Sequence, residues 1–466
     1  MNIQELFTKN ASADTIVSAL KEKQLDIPDW TASLLPLYEP TKHKIVKDQV
    51  GRKDKVRKDG SIDFASRIYI GLEQLLTRRI TEFTASIPIR RVYHNTEGNE
   101  TRKAIAKAIE SIYNYARIDA ENIRRFHAYY ASCEVFTIWY MVNKPNSLYG
   151  FNSPYKLKCK TYSPMDGVGL YPLFDETGDM VAMSFEYDVK KGQETITYFE
   201  TYTADTHYKF IREGAGYKML GTPEKISIGK IAGSYMWRPK AIYQGLEHIR
   251  EEIEYTLSRN SDVIAYNSAP ILKVVGGLRG EENKGEERRI YRVENGGDVG
   301  YVAWTQAIEA LKYQVESLTN LYWTQSQMPD ISFSNMRSLG NIGYDARQTL
   351  LTDAHLRIGD ESGAIYEFLE RETSVIKAIL KEMNKSWANE VDNVEVEHII
   401  TPFIQNDEKA VIDRLMVATG GKPLMSQLDA IKYAGYSNDP DATLKQIQEE
   451  ESVANAQMND IFESMS

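Results

Sequence analysis

The chain has 466 residues, too many for one hydrophobic core, and this length predicts two to four lobes. Hydrophobic residues make up 42% and charged residues 26%, proportions typical of a folded globular protein and not of a disordered one. The formal net charge of −10 disfavours tight, sequence-specific DNA binding, because proteins that grip nucleic acid usually carry a basic balance. We expect no membrane span, because no apolar run reaches about eighteen residues, and no secretory signal at the amino terminus.

Residues 1–65 predict an arm that precedes the main fold. A short amphipathic helix and a linker are expected within residues 1–30, and a basic, turn-rich hairpin within residues 36–60. Apolar residues at spacings of three and four then predict helices at Ser66–Ser86, Arg102–Tyr115 and Ala120–Tyr130. The first of these helices has an apolar side formed by Ile68, Leu72, Leu75, Leu76, Ile80 and Phe83.

The next segment predicts β structure. A buried strand is expected at CEVFTIWYMV, which begins at Cys133. The runs SFEYDV, TITYFETYT and THYKFIRE alternate β-formers and are separated by short polar turns, which indicates an antiparallel meander. Cys133 and Cys159 are the two cysteines; a pair builds neither a disulfide framework nor a metal cluster, so we expect two buried small residues in a reducing cytoplasm.

Two helices of similar length flank a glycine-rich, charged insert in the middle of the chain. Apolar residues recur at steps of three and four in both helices, a period that favours a seam with another helix. The seam residues are Leu246, Ile249, Ile253 and Leu257 in the first helix, and Trp304, Ile308, Leu311, Val315, Leu318 and Tyr322 in the second. At 1.5 Å per residue each helix spans roughly 30–35 Å. An ordinary antiparallel pair in a globular core is the alternative.

An abrupt non-helical run, MPDISFSNMRSLGNIGYDA, follows the second helix. A long helix is then predicted over Gly343–Trp387, with inward residues Ile358, Ile365, Leu369, Ile376, Leu380, Met383 and Trp387, and a strand at VEVEHIITPF. From Asp407 onward we expect short helices and a polar, poorly ordered tail.

The order of these segments resembles that of tailed-phage portal proteins, most closely the siphophage-type portals of Gram-positive hosts. The matching runs cover residues 65–420: RIYIGLEQLLTRRITEFTASIPIRRV, AYYASCEVFTIWYMV, YSPMDGVGLYPLFDETGDMVAMSFEYDV, LEHIREEIEYTLSRNSDVIAYNSAPILKVVGG and ENGGDVGYVAWTQAIEALKYQVESLTNLYWTQSQMPDIS. No single motif is diagnostic, and the resemblance rests on their order.

The resemblance implies an α+β portal fold. Its expected parts are an arm and hairpin (1–65), a wing (66–240), stem helix 1 (241–264), a small α/β clip (265–303), stem helix 2 (304–327), a tunnel loop (328–343), the long spine helix and strand of the wing (344–405), and a helical crown and tail (406–466). It also implies a homo-oligomeric ring, usually a dodecamer, at one capsid vertex of the virion, assembled in the host cytoplasm, without cofactor or metal. The implied partners are the terminase large subunit, a head-completion or adaptor protein, major capsid and scaffolding proteins, and double-stranded DNA bound non-specifically.

The same resemblance assigns roles to particular residues. Clip docking is expected at Arg279, Lys284, Arg288, Arg289 and Arg292, which stand beside glutamates and suit charge-complementary exchange of partners; a solvated charged hairpin is the alternative. DNA-facing tunnel-loop positions are expected at Pro329, Ser332, Asn335, Arg337, Ser338, Gly340 and Asn341. For Arg337 an ordinary surface arginine is equally compatible with the sequence. Glu251, Glu252, Glu254 and Glu316 are expected on outer faces of the stem, toward the channel or toward capsid proteins.

Two other classes of protein are weighed against a portal. An adaptor or capsid component would lack the helix–insert–helix unit. A packaging nuclease would use the carboxylate and imidazole cluster of Asp345, Asp353, His355 and Asp360, but this spacing does not place all of them on one helix face. The glycine-rich runs GGLRG and GGDVG lack the phosphate-binding pattern of a P-loop, so we predict no catalytic residues and a separate packaging ATPase.

Overall fold

The fold is mixed α and β, as the sequence predicts. A computed structural model describes residues 7, 11–22, 24–267, 271–276, 278–283, 289–293, 296–302, 306–332, 349, 351–403, 408–437 and 440–465. Its longer helices are α1 Ala13–Leu20, α2 Leu72–Ala85, α3 Glu100–Ala116, α4 Ile118–Ser132, α5 Glu247–Asn267, α6 Gln306–Ser326, α7 Thr352–Met383, α8 Glu408–Thr419, α9 Gln427–Ala434 and α10 Pro440–Met465. Short helical turns cover Trp30–Leu34, Leu35–Tyr38, Pro40–Lys42, Lys44–Lys47, Pro164–Asp166 and Lys385–Trp387.

The strands form several separate sheets. They are β1 Lys55–Val56, β2 Ile62–Asp63, β3 Arg90–His94, β4 Glu134–Asn146, β5 Ser153–Tyr162, β6 Gly169–Phe174, β7 Met180–Lys191, β8 Glu194–Tyr202, β9 Thr206–Glu213, β10 Gly216–Met219, β11 Glu224–Lys225, β12 Gly233–Trp237, β13 Ile271–Val275, β14 Leu278–Asn283, β15 Arg289–Val293, β16 Asp298–Val302 and β17 Glu395–Ile399. The largest sheet is an antiparallel meander in the order β10-β9-β8-β7-β6, with β11 also paired to β9. Strands β7, β8 and β9 contain the three runs predicted as a meander, so that prediction is confirmed.

Two compact units divide the chain. The larger unit contains residues 1–330 and 353–403, and the smaller contains residues 331–352 and 404–466. In the smaller unit α10 runs from Pro440 to Met465 and includes the polar tail. No helix in the described ranges is both long enough and apolar enough to cross a membrane.

The core of the larger unit lies where α3, β4, β5 and α7 meet. Helix α7 supplies Ile376, Ile379 and Leu380, which pack with Tyr113 and Trp139. Arg125 lies in the same region and is fully buried; it donates two hydrogen bonds to the Glu372 carboxylate, at 2.6 and 3.0 Å. The predicted inward residues of α7 are buried from Ile358 to Met383. Trp387 follows in a short turn, partly buried.

Helix α2 starts at Leu72, six residues later than predicted. Residues 66–71 are not helical, and Ile68, expected on the apolar side of that helix, is exposed. The reason is that residues 66–70 form hydrogen bonds with α5, a helix far away in the sequence.

Candidate interaction surfaces

The two helices that flank the insert, α5 and α6, pack against each other. Their predicted seam is buried at one end, where Leu246 and Ile253 are covered together with Tyr322 of α6. Ile249 and Leu257 are half-buried, and so are Leu311, Val315 and Leu318 of α6. The side chain of Ile308 and all of Trp304 lie outside the described residues. In a single chain, much of this apolar seam is therefore only partly covered.

A second face of α5 is polar and buried. Arg250, Glu254 and Ser258 follow one another at four-residue spacing and are 1% exposed or less, and Asp262 continues the row. Residues four apart lie on the same face of a helix. We call these four residues the polar ladder.

The polar ladder holds residues 66–70 in an extended conformation. The backbone N–H groups of Ser66, Ile68 and Ile70 donate to Asp262 Oδ1 at 3.0 Å, Ser258 Oγ at 2.8 Å and Glu254 Oε1 at 2.9 Å. Two residues of a strand advance about 6.6–6.8 Å and four residues of a helix advance 6 Å, so alternate N–H groups stay in register with the ladder. Alternate N–H groups reach this one row of acceptors only from an extended chain, which explains why helix α2 does not begin at Ser66.

The N-terminal end of the polar ladder, Arg250 and Glu254, belongs to a buried ionic cluster. Arg250 Nε donates to Glu73 Oε1 at 2.8 Å and its Nη1 donates to Glu254 Oε2 at 3.0 Å. His43 Nδ1 lies 2.6 Å from Glu254 Oε1, and His43 Nε2 lies 2.9 Å from the Leu37 carbonyl oxygen. Both ring nitrogens of His43 face acceptors, and both can donate only in the imidazolium form.

The electrostatics of the cluster follow from its burial. Burial raises the pKa of the Glu73 carboxyl above its ordinary value, because it disfavours the charged form. Burial also disfavours the Arg250 cation, but Glu73 and Glu254 outweigh it and the pKa of Arg250 is raised. Removing one partner from a buried ion pair leaves an uncompensated charge, so each residue of the cluster depends on the others.

The polar ladder contradicts the sequence prediction for Glu254, and sequence reasoning did not identify the ladder itself. Glu254 was expected on an outer face of the helix, but it is fully buried in the cluster. Glu252 is exposed, Glu251 is half-buried and Glu316 is exposed. The available signal was the four-residue recurrence of Arg250, Glu254, Ser258 and Asp262, which resembles the charge pattern of an ordinary solvent-facing helix.

The insert between α5 and α6 contains strands in its described part. Strand β13 pairs antiparallel with β16, and β14 pairs antiparallel with β15. The fold-class prediction included a small α/β insert; residues 271–276, 278–283, 289–293 and 296–302 contain strands and no helix. Arg279 falls at an irregularity of the β14–β15 pairing, whereas Arg292 lies opposite Gly280 and Arg289 lies opposite Asn283. Lys284 and Arg288 lie outside the described residues.

Comparison with known proteins shows the family to which the chain belongs. The family model "Phage portal protein, SPP1 Gp6-like" matches residues 34–457, which is most of the chain. The chain belongs to this portal protein family. No curated protein matches the sequence. A solved structure titled "Neck of empty GTA particle computed with C6 symmetry" is similar at 11% identity and a TM-score of 0.36, over 78% of this chain and 89% of that one.

The tunnel loop expected of a portal protein falls mostly outside the described residues. Pro329 and Ser332 are half-buried, and Asn335, Arg337, Ser338, Gly340 and Asn341 are not described. The residues just before this segment have defined contacts and backbone conformation. Gln327 ends α6 with a positive φ of 53°, and Arg357 of α7 donates to the Ser326 carbonyl oxygen.

The residues considered for a nuclease are not brought together as a metal site in the described part of the chain. His355 Nε2 lies 3.4 Å from the Phe403 carbonyl oxygen, and Asp353 and Asp360 are exposed. Asp345 lies outside the described residues. The described ranges contain no group of three or more histidine, cysteine, aspartate or glutamate side chains arranged to hold a metal ion.

Proposed function

We propose that this chain forms the portal ring of a tailed phage. In this proposal copies of the chain, usually twelve in this family, surround a channel at one vertex of the capsid, through which DNA enters during packaging and leaves during ejection. The observation that carries the proposal is the match of the portal family model to residues 34–457. The order of helix, β insert and helix in α5–α6 supports it.

The helix pair supports a role in subunit packing. Leu257, Leu311, Val315 and Leu318 are only half-buried in the single chain, so a neighbouring copy can cover them. Apolar surface removed from water contributes about 25 cal/mol per Å². A ring gains this energy at every subunit boundary. We therefore propose α5 and α6 as the stem, and Leu246, Ile249, Ile253 and Ile308 as its further packing residues.

The remaining parts of the ring are proposed from position along the chain. The insert 265–303 would be the clip, where Arg279, Lys284, Arg288, Arg289 and Arg292 dock the terminase large subunit during packaging and a head-completion protein afterwards. Charge complementarity favours such reversible exchange. Residues 328–343 would be the tunnel loop, residues 66–240 and 344–405 the wing, and residues 406–466 the crown. Scaffolding and major capsid proteins would seat the ring in the vertex.

The DNA contact in this proposal is weak and independent of sequence. A channel wall must let DNA slide, and each phosphate bound to a cation strengthens binding and its dependence on salt. The net charge of −10 limits such contacts. Pro329, Ser332, Asn335, Arg337, Ser338, Gly340 and Asn341 are proposed to meet the passing DNA.

The experiment is procapsid assembly with an epitope tag on this chain. The chain is co-expressed with the major capsid and scaffolding proteins of the same virus, and the procapsids are labelled with gold-conjugated antibody. A portal gives label at one vertex per particle, and particles made without the chain fail to package DNA. Label spread over all vertices, or packaging that does not require the chain, would contradict the proposal.

A further inference from the structure

Residues 50–69 overlap the end of the predicted N-terminal arm, and from here on we call these residues alone the arm; most of their side chains are exposed. This segment contains the β1–β2 hairpin and the extended residues that bind the polar ladder. In most folded segments apolar side chains face the protein and polar ones face solvent. In the arm a few polar groups contact α5, whereas the lysines and the large apolar side chains are exposed.

The inward side of the arm is held by ions and hydrogen bonds. Arg52 is 8% exposed, donates to the Ser66 carbonyl oxygen at 2.7 Å, and pairs with Asp262 of α5. Asp54 accepts from Arg67 Nη1 at 2.9 Å and from the Ala65 N–H at 2.9 Å. The segment is therefore fixed in place without using its apolar side chains.

The outward side carries a cluster of exposed large apolar residues. They are Val50, Val56, Ile62, Phe64, Ile68 and Tyr69, with exposures from 36% to 97%. Val56 and Ile62 are cross-strand partners and so lie on one face of the hairpin, and Phe64 follows Ile62 by two residues. Single exposed apolar residues are ordinary, but several of them on one short segment mark a candidate surface for a partner.

The charge of the arm restricts the choice of partner. Between Val50 and Arg67 the arm has six lysine and arginine residues against three aspartates, whereas the whole chain is acidic. Lys53, Lys55 and Lys58 are exposed, and the exposed Arg57 lies 3.6 Å from Asp63. The fitting partner is a surface that exposes apolar side chains beside acidic ones.

Such a surface is present on α6 of the same chain. Glu309, Tyr313, Glu316 and Leu321 are exposed; the first three recur at steps of four and three and so share one face of the helix, and Tyr313 is 72% exposed. We call these four residues the α6 stripe. Lys312 lies 3.8 Å from Glu316, so one cation partly offsets the two glutamates.

We propose that the arm of one copy packs on the α6 stripe of the next copy. This inference rests on the proposed ring. The arm and the α6 stripe are two different patches, and a contact between different patches of identical chains is heterologous, the kind that generates a closed ring. The arm is fixed on α5, the helix that packs beside α6, so every subunit carries one surface of each kind next to its helix pair.

Site-specific cross-linking tests the pairing directly. Phe64→Cys and Tyr313→Cys are introduced together into the full chain, and the assembled protein is treated with a short bis-maleimide. We expect a ladder of covalent multimers on denaturing gels, which neither single variant gives. The matched control pairs Leu220→Cys, 44% exposed in another loop, with Tyr313→Cys. An arm pair that forms no more multimers than this control overturns the proposal.

Assembly is measured with a second set of variants. Val56→Ser, Ile62→Ser and Phe64→Ser together should raise the chain concentration at half-assembly at least tenfold, and Leu220→Ser should leave it unchanged. Lys55→Glu should weaken assembly, and Glu316→Lys in the same chain should restore it in part. Hydrogen exchange at the arm amides checks that the triple variant keeps its fold.

The outcomes separate this inference from the proposed function. If the wild-type chain never assembles, both are wrong. If wild-type rings form and the triple variant assembles at the same concentration, only the arm contact is wrong. If assembly is unchanged but the rings lose DNA binding, the arm contacts nucleic acid and the proposal of a protein partner is wrong.

Discussion

Replacing Glu254 by alanine tests whether the polar ladder fixes the first stem helix to the rest of its unit. The Glu254 carboxylate is fully buried and accepts from His43, Arg250 and the Ile70 N–H at 2.6, 3.0 and 2.9 Å. The substitution removes the acceptor from all three donors inside the protein. Breaking a buried ion pair by removing one partner costs about 3–5 kcal/mol.

The assay is scanning calorimetry at pH 7 and fixed chain concentration, because assembly makes the midpoint depend on concentration. The larger unit spans roughly 380 residues, and an unfolding entropy of about 2.1 cal/mol/K per residue gives a shift of about 1.25 °C per kcal/mol. We therefore expect the transition of this unit to fall by roughly 4–6 °C. Hydrogen exchange should show loss of protection at the Ile70 amide.

Glu252 supplies the matched control. It is on the same helix but exposed, and surface substitutions of this kind usually change stability by less than about 0.5 kcal/mol. Glu254→Ala and Glu252→Ala with equal midpoints, and an Ile70 amide that stays protected in both, would refute the reasoning. A double-mutant cycle with His43→Ala measures the coupling, which we expect to be about 0.5–3 kcal/mol for residues in contact.

Three further predictions concern the seam, the loop and the arm. Leu311→Asp with Leu318→Asp should give folded chains that fail to form rings, because these half-buried residues would place charge in the subunit contact; native mass spectrometry that finds normal rings would place them elsewhere. Deleting residues 332–340 should leave rings intact but impair packaging or DNA retention in a packaging assay, and normal retention would contradict the tunnel-loop assignment. The hydrogen bond from Arg67 lowers the pKa of Asp54 to about 2 from an ordinary 3.8, so its stabilisation of the arm is complete above about pH 4 and is lost as the pH falls toward 2. Protection of the arm amides, corrected for intrinsic exchange, should fall in that window, and Asp54→Asn should reduce this pH dependence.

The local spacing of apolar residues predicted those elements that pair with neighbours in the sequence or that pack against any apolar surface. The strands β7, β8 and β9 follow from alternation and short turns, and the inward residues of α7 follow from apolar spacing. These signals reflect burial of one face, which any packing partner satisfies. The identity of that partner is not needed for the prediction.

The residues that failed the same reasoning depend on long-range polar contacts. Residues 66–70 have helical spacing, yet their N–H groups are engaged by side chains 184 to 196 residues away in the sequence. Glu254 has the pattern of a solvent-facing charge, yet its partners come from His43 and Ile70. A single sequence does not identify the distant partners in such pairing. The roles of the insert and loop residues remain predictions.

The most direct test of the account is the mass and shape of the purified full chain, by native mass spectrometry and negative-stain imaging. A portal of twelve subunits has a mass of about 640 kDa, twelve times the 53.2 kDa of one chain, and an annular image with a central channel. We predict that ring. A chain that stays monomeric or dimeric at all concentrations, also when co-expressed with its scaffolding protein, would contradict the central claim.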